Sequence, residues 1–112
     1  MKYGLSEKQL KEMKRIFSHY PEIEEAILFG SRAMETHKEA SDVDISITGR
    51  QADFSLAASL KDHFEEETYL PFFFDVVVYE NIQSEDLKQH IQDKGVVLYR
   101  RGTLNQDLQQ FA

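Results

Sequence analysis

The chain has 112 residues, 41% of them hydrophobic and 29% charged, with two prolines and five glycines. That composition fits one ordinary globular domain and excludes a disordered chain or two catalytic lobes. Cysteine is absent and the formal net charge is −7, which excludes disulfides and thiolate metal sites and argues against non-specific gripping of a nucleic-acid backbone.

The opening MKYGLSEKQL has no apolar signal core, and no segment reaches the length needed to span a bilayer, so a cytoplasmic protein without membrane contact is expected. Ser6 and Gln9 form a capping box at the start of a predicted helix, with Leu5 and Leu10 as its hydrophobic staple. Leu10, Met13, Phe17 and Tyr20 continue it as an apolar stripe that ends before Pro21. Ala26 to Phe29 reads as a short buried strand that runs into Gly30-Ser31, a turn able to start a helix near Arg32. In the second strand Val43, Ile45 and Ile47 alternate with Asp42, Asp44 and Ser46, and Gly49 closes it.

Asp53 to Thr68 is predicted helical, with Phe54, Leu56, Ala57, Leu60 and Phe64 toward the core. After Pro71 comes FFFDVVVY, Phe72 to Tyr79, whose continuous aromatic and β-branched run predicts a strand buried on both faces with Asp75 in its middle. An unpaired carboxylate in such a place costs several kcal/mol, on the order of the transfer penalties for buried charge, so either the run is misread or something binds Asp75. Ser84 caps a further helix, with Glu85 and Asp86 in its first turn and Leu87 and Ile91 inward, ending at Lys94-Gly95; Val96 to Tyr99 is a fourth strand. Residues 103–112 form a tail with Leu104, Leu108 and Phe111 at helical spacing, a candidate docking segment. Strands interleaved with helices predict a sheet flanked by α-helices.

The chemistry concentrates in three places. Asp42 and Asp44 lie two apart, so a strand sends both carboxylates from one face with α-carbons about 6.6 Å apart. Alone, that pair is as well explained by a solvated strand end, and Gly30-Ser31 alone by an ordinary turn. Together they suit a polyphosphate: Gly30 admits close backbone approach, Ser31 and the free amides donate hydrogen bonds, and Arg32 adds charge. The four histidines show no metal-ligand spacing and are expected at the surface or edge, while the phenylalanines at 72 to 74 are expected in the core.

ILFGSRA, then SDVDISI, then an aspartate inside a later apolar strand resembles the nucleotidyltransferase superfamily that includes DNA polymerase beta, and most closely its minimal nucleotidyltransferase (MNT) branch. The resemblance implies an α+β fold, a mixed β-sheet flanked by α-helices in a single small domain. It implies that Asp42, Asp44 and Asp75 are catalytic and hold two Mg²⁺ ions, or Mn²⁺, and that Gly30, Ser31 and Arg32 bind the nucleotide. It implies AMP transfer from ATP to a hydroxyl, with Asp75 helping to take the acceptor proton. Members of the MNT branch are antitoxins paired with a HEPN-domain partner, whose tyrosine is the implied acceptor. The chain departs from the pattern at Met34-Glu35, where many MNT proteins have arginine-glycine, and Glu35 puts a negative charge near the expected phosphates.

Three alternatives stand beside this reading. The same fold could neutralise or scaffold a HEPN partner without turnover. An Asp-x-Asp pair also serves metal-bound nucleotide sugars in glycosyltransferases, although chain length and the preceding Gly30-Ser31 turn weigh against that. A phosphoacceptor receiver domain would want its acidic pair after the first strand, where this chain has Gly30-Ser31. The acceptor, the preferred base and any oligomer are not encoded in the motif.

Overall fold

The structure is a computed structural model and describes residues 1–102. The tail positions Leu104, Leu108 and Phe111 lie outside the described residues. The elements follow as α1 (Glu7–Ser18), β1 (Glu25–Phe29), α2 (Gly30–Ala33), β2 (Val43–Thr48), α3 (Phe54–Glu66), β3 (Phe74–Val78), a 3₁₀ turn (Tyr79–Asn81), α4 (Glu85–Lys94) and β4 (Val96–Arg100). The capping box at α1 is present in full, with Ser6 Oγ accepting from the Gln9 amide at 3.1 Å and Gln9 Oε1 from the Ser6 amide at 2.9 Å.

The four strands make one mixed sheet in the order β3-β2-β1-β4, antiparallel except for the parallel pair β2–β3. The chain passes from β2 to its parallel neighbour β3 through α3, the crossover that parallel strands require. Helices α1 and α3 cover one face, and the alternating Val43, Ile45 and Ile47 point into that layer, all fully buried. There Phe64 stacks on Phe74 with ring centroids 4.3 Å apart and meets Phe17 edge-on at 5.3 Å. Truncating such a ring typically removes about 3–5 kcal/mol. The other face is covered by α2 and α4 mainly over β1, so the β2–β3 half is left open at the end where β2 begins. A small α+β domain with a mixed four-stranded sheet is the expected fold class.

Two expectations fail for the same reason. Among the described residues β3 is the edge of the sheet, paired with β2 alone, and it is not buried on both faces, because the helices of the second face stand mainly over β1. Consequently Asp75 is exposed, and Phe73, expected in the core, is 71% exposed, while Phe74 is buried and Phe72 half-buried. Phe54, assigned to the core face of its helix, is 81% exposed because it sits at the first turn of α3, beyond the sheet surface that Ala57, Leu60 and Phe64 cover. Among the described residues, no helix is long and apolar enough to cross a membrane.

Candidate active site

The site is built where β1 ends and β2 begins. Phe29, the last residue of β1, is the register partner of Asp44, and Asp44 in turn is the register partner of Asp75. The sheet therefore lays the Gly30 turn, Asp44 and Asp75 side by side across three strands. Asp42 stands just before β2, exposed at its entry. Gly30 adopts φ +76, a left-handed conformation, and a β-carbon there would collide with the Asp44 carboxylate. Only glycine satisfies both demands. Ser31 is the second residue of the single-turn α2 and half-buried.

Electrostatics single out Asp44. Burial, and then the negative charges of Asp75 and Asp42, push its carboxyl from 3.8 up to about 6, opposed by Arg32 and His90. A carboxylate crowded by two others is short of positive charge.

Arg32 was expected to reach toward phosphate, and the structure places its guanidinium elsewhere. It is 1% exposed and donates only to backbone carbonyls: to Ser41 from Nε at 3.1 Å and Nη2 at 2.8 Å, to Glu39 at 3.3 Å, and to Tyr3 and Gly4 at 3.1 and 3.4 Å. The Phe72 ring lies against it at 4.7 Å. Arg32 thus ties the N-terminal turn, the loop that delivers Asp42 and the entry to β3 into one unit. Burial lowers its pKa, while the charges of Asp44 and Asp42 act the other way. Its five donors match convergent carbonyls as a lysine could not.

His90 was missed as a site residue. From α4 its Nε2 accepts a 2.9 Å hydrogen bond from the Gly30 amide, with the ring edge-on to Phe29 at 6.2 Å. It is half-buried. A contact sixty residues away in sequence leaves no local spacing signal. Glu35, the departure from the MNT pattern, has φ +57 and makes a long 3.5 Å contact to the Tyr3 amide. That left-handed conformation is the physical reason a glycine suits this position.

The donor set offered by Asp42, Asp44 and Asp75 is all oxygen, which suits a hard divalent cation such as Mg²⁺ or Mn²⁺. The crowding by Asp75 and Asp42 that raises the Asp44 pKa suits a cation as well, since a positive charge there offsets it. The side chains as they stand are open: among the described residues, no three of His, Asp and Glu are gathered closely enough to hold one metal ion.

Comparison with solved structures finds the same fold in toxin–antitoxin complexes. A toxin–antitoxin structure with AMP-PNP superposes with a TM-score of 0.67 at 22% identity, covering 91% of this chain and 79% of that one. The MntA–HepT toxin–antitoxin gives 0.66 at 20% identity, over 96% and 80%. A tri-AMPylated Shewanella oneidensis HEPN toxin in complex with MNT antitoxin gives 0.63 at 21% identity, over 92% and 76%. No curated protein sequence matches the chain. The family model described as polymerase beta, nucleotidyltransferase matches residues 11–103, and with the Gly30 turn and the Asp44–Asp75 pair at the junction of three strands, the chain belongs to that nucleotidyltransferase family.

Proposed function

We propose that the chain is a metal-dependent nucleotidyltransferase that moves AMP from ATP to a hydroxyl, acts as an antitoxin, and takes a tyrosine of a HEPN-type partner as its acceptor. The observation that carries this reading is the register Phe29–Asp44–Asp75, which sets two carboxylates beside the Gly30-Ser31 turn. Support comes from structural relatives solved with AMP-PNP and with an AMPylated HEPN toxin.

Asp42, Asp44 and Asp75 would hold Mg²⁺, which when bound supplies the positive charge that lets carboxylates and a triphosphate meet. The acceptor oxygen attacks the α-phosphorus, the new O–P bond forms as the bond to the bridging oxygen breaks, and pyrophosphate leaves with that electron pair. Asp75, exposed at the mouth of the site, accepts the hydroxyl proton. Ser31 Oγ and the turn amides hold the phosphates, and the Gly30 amide becomes available to them when His90 swings aside. Arg32 acts at one remove, by fixing the backbone at Ser41 next to Asp42.

The test is transfer of label from [α-³²P]ATP with Mg²⁺ to a HEPN-domain protein co-expressed with this chain. Transfer by the parent, lost in Asp42→Asn with Asp44→Asn, supports the reading; neutralisation of the partner by that double variant without any transfer favours the non-catalytic binding module instead.

A further inference from the structure

β3 is an open edge, and the way it is partly closed is informative. The Phe74 amide donates to Glu65 Oε2 at 2.7 Å and the Phe74 carbonyl accepts from Lys61 Nζ at 2.8 Å. Both groups therefore point away from β2, while the Phe73 carbonyl points toward it and accepts from the Val43 amide at 2.9 Å. By the alternation of a strand, the amide and carbonyl of Val76 face outward like those of Phe74. The Lys61–Glu65 pair meets the edge at Phe74, and among the described residues no strand lies on the outer side of Val76. Edges of this kind accept extended peptides.

A groove of about 480 Å³ runs along this stretch, lined by Phe54, Val76, Val78, Ile82 and Leu87 and reaching Asp75. It is continuous with the candidate active site through that aspartate. Phe54, 81% exposed, is a large apolar side chain left uncovered at this groove. No lysine or arginine lines the groove, and the exposed carboxylates of Glu80, Glu85 and Asp86 lie on the segments that follow β3. A phosphodiester chain would find no basic side chain lining the groove, whereas an uncharged or basic polypeptide meets apolar walls and an open main-chain edge.

The geometry points to a docking edge: an extended polypeptide segment of the partner adds to the sheet beside Val76 and brings its acceptor hydroxyl to Asp75. This rests on the nucleotidyltransferase reading for the hydroxyl's fate, and on the groove alone for the docking. It commits the acceptor to a protein rather than an RNA end.

Amide hydrogen exchange of the full chain, free and with a co-expressed HEPN-domain protein, tests the docking without catalysis. The expected result is at least tenfold slower exchange of the Val76 amide in the complex. Val76→Pro deletes that outward amide while leaving the ladder to β2 intact, and it should weaken partner binding at least tenfold with Mg²⁺-ATP affinity unchanged. Phe54→Ser, at an exposed position, should weaken partner binding severalfold, and it covers the case in which the proline variant does not fold. Unchanged Val76 exchange in the complex overturns the proposal, as does no complex at all. Protection already present in the free chain and lost on deleting residues 103–112 also overturns it, since the tail would then be the occupant. Label appearing on an RNA oligonucleotide but not on the protein would overturn the acceptor class. Protection without transfer leaves the docking edge standing and removes the enzymatic reading; transfer without protection does the reverse.

Discussion

Asp44 and Asp75 are register partners on the parallel pair β2–β3, and the charge of the exposed Asp75 helps push the half-buried Asp44 carboxyl up to about 6. The native state therefore binds a proton more readily than the unfolded chain, whose aspartates titrate near 3.8. From this group alone, stability is lost as pH rises from 3.8 to about 6, and the penalty is complete above that range.

Asp44→Asn should be more stable than the parent in EDTA at pH 7.5, by about 1 kcal/mol once solvent screening of a half-buried group is allowed for. The advantage should vanish below pH 3.8, where both proteins are neutral at this position. Mg²⁺ should stabilise the parent more at pH 7.5 than at pH 5, and should do little for the variant. Thermal melts in the two buffers across this range measure all three, and a variant less stable than the parent at pH 7.5 would contradict the electrostatic account.

Removing the Asp75 charge should act on Asp44 at a distance. In Asp75→Asn the Asp44 carboxyl, followed by carbon-13 NMR titration, should titrate below its parent value of about 6, since the second-largest cause of the shift is gone. Nucleotidyl transfer should be abolished in the same variant. An unmoved Asp44 titration would mean that burial and Asp42 raise it without Asp75.

Gly30→Ala introduces a β-carbon into the Asp44 carboxylate and a side chain at φ +76. The left-handed conformation costs about 1–2 kcal/mol, measurable by urea denaturation. Displacing Asp44 by even an ångström should lower kcat at least roughly 100-fold. A fully active alanine variant would show that this turn does not border the reacting groups.

Arg32→Met separates the two roles available to that arginine. A side chain that only touched phosphate would leave the stability of the nucleotide-free protein unchanged when replaced. The observed bonds to four carbonyls predict a loss of about 3–5 kcal/mol, because buried acceptors lose a charged donor. Denaturation of the nucleotide-free protein decides between them.

Glu35→Gly should stabilise the fold by about 0.5–1 kcal/mol, the left-handed penalty relieved at φ +57 less the added freedom of an unfolded glycine. It also removes a carboxylate from the segment after Ser31. A lower KM for ATP in this variant would assign the Met34-Glu35 departure a direct effect on nucleotide binding, and an unchanged KM would confine it to stability.

The helices and strands were legible in the sequence because each carries its own period: the capping box of α1, the alternation Val43–Ile45–Ile47 and the serine caps are local facts of spacing. The Gly30-Ser31 turn and the Asp42–Asp44 pair were legible for the same reason. Which strand stands beside which was not, since an apolar run such as Phe72 to Tyr79 records the side chains it carries and not the neighbours it will find. Strand order made β3 an edge among the described residues, and the placing of α2 and α4 over β1 left Asp75 exposed while Asp44 took the greater burial. Likewise nothing near Arg32 or His90 in the chain announces carbonyls at Tyr3 and Ser41 or the amide of Gly30, because those contacts exist only after the sheet closes and brings distant backbone within hydrogen-bonding reach.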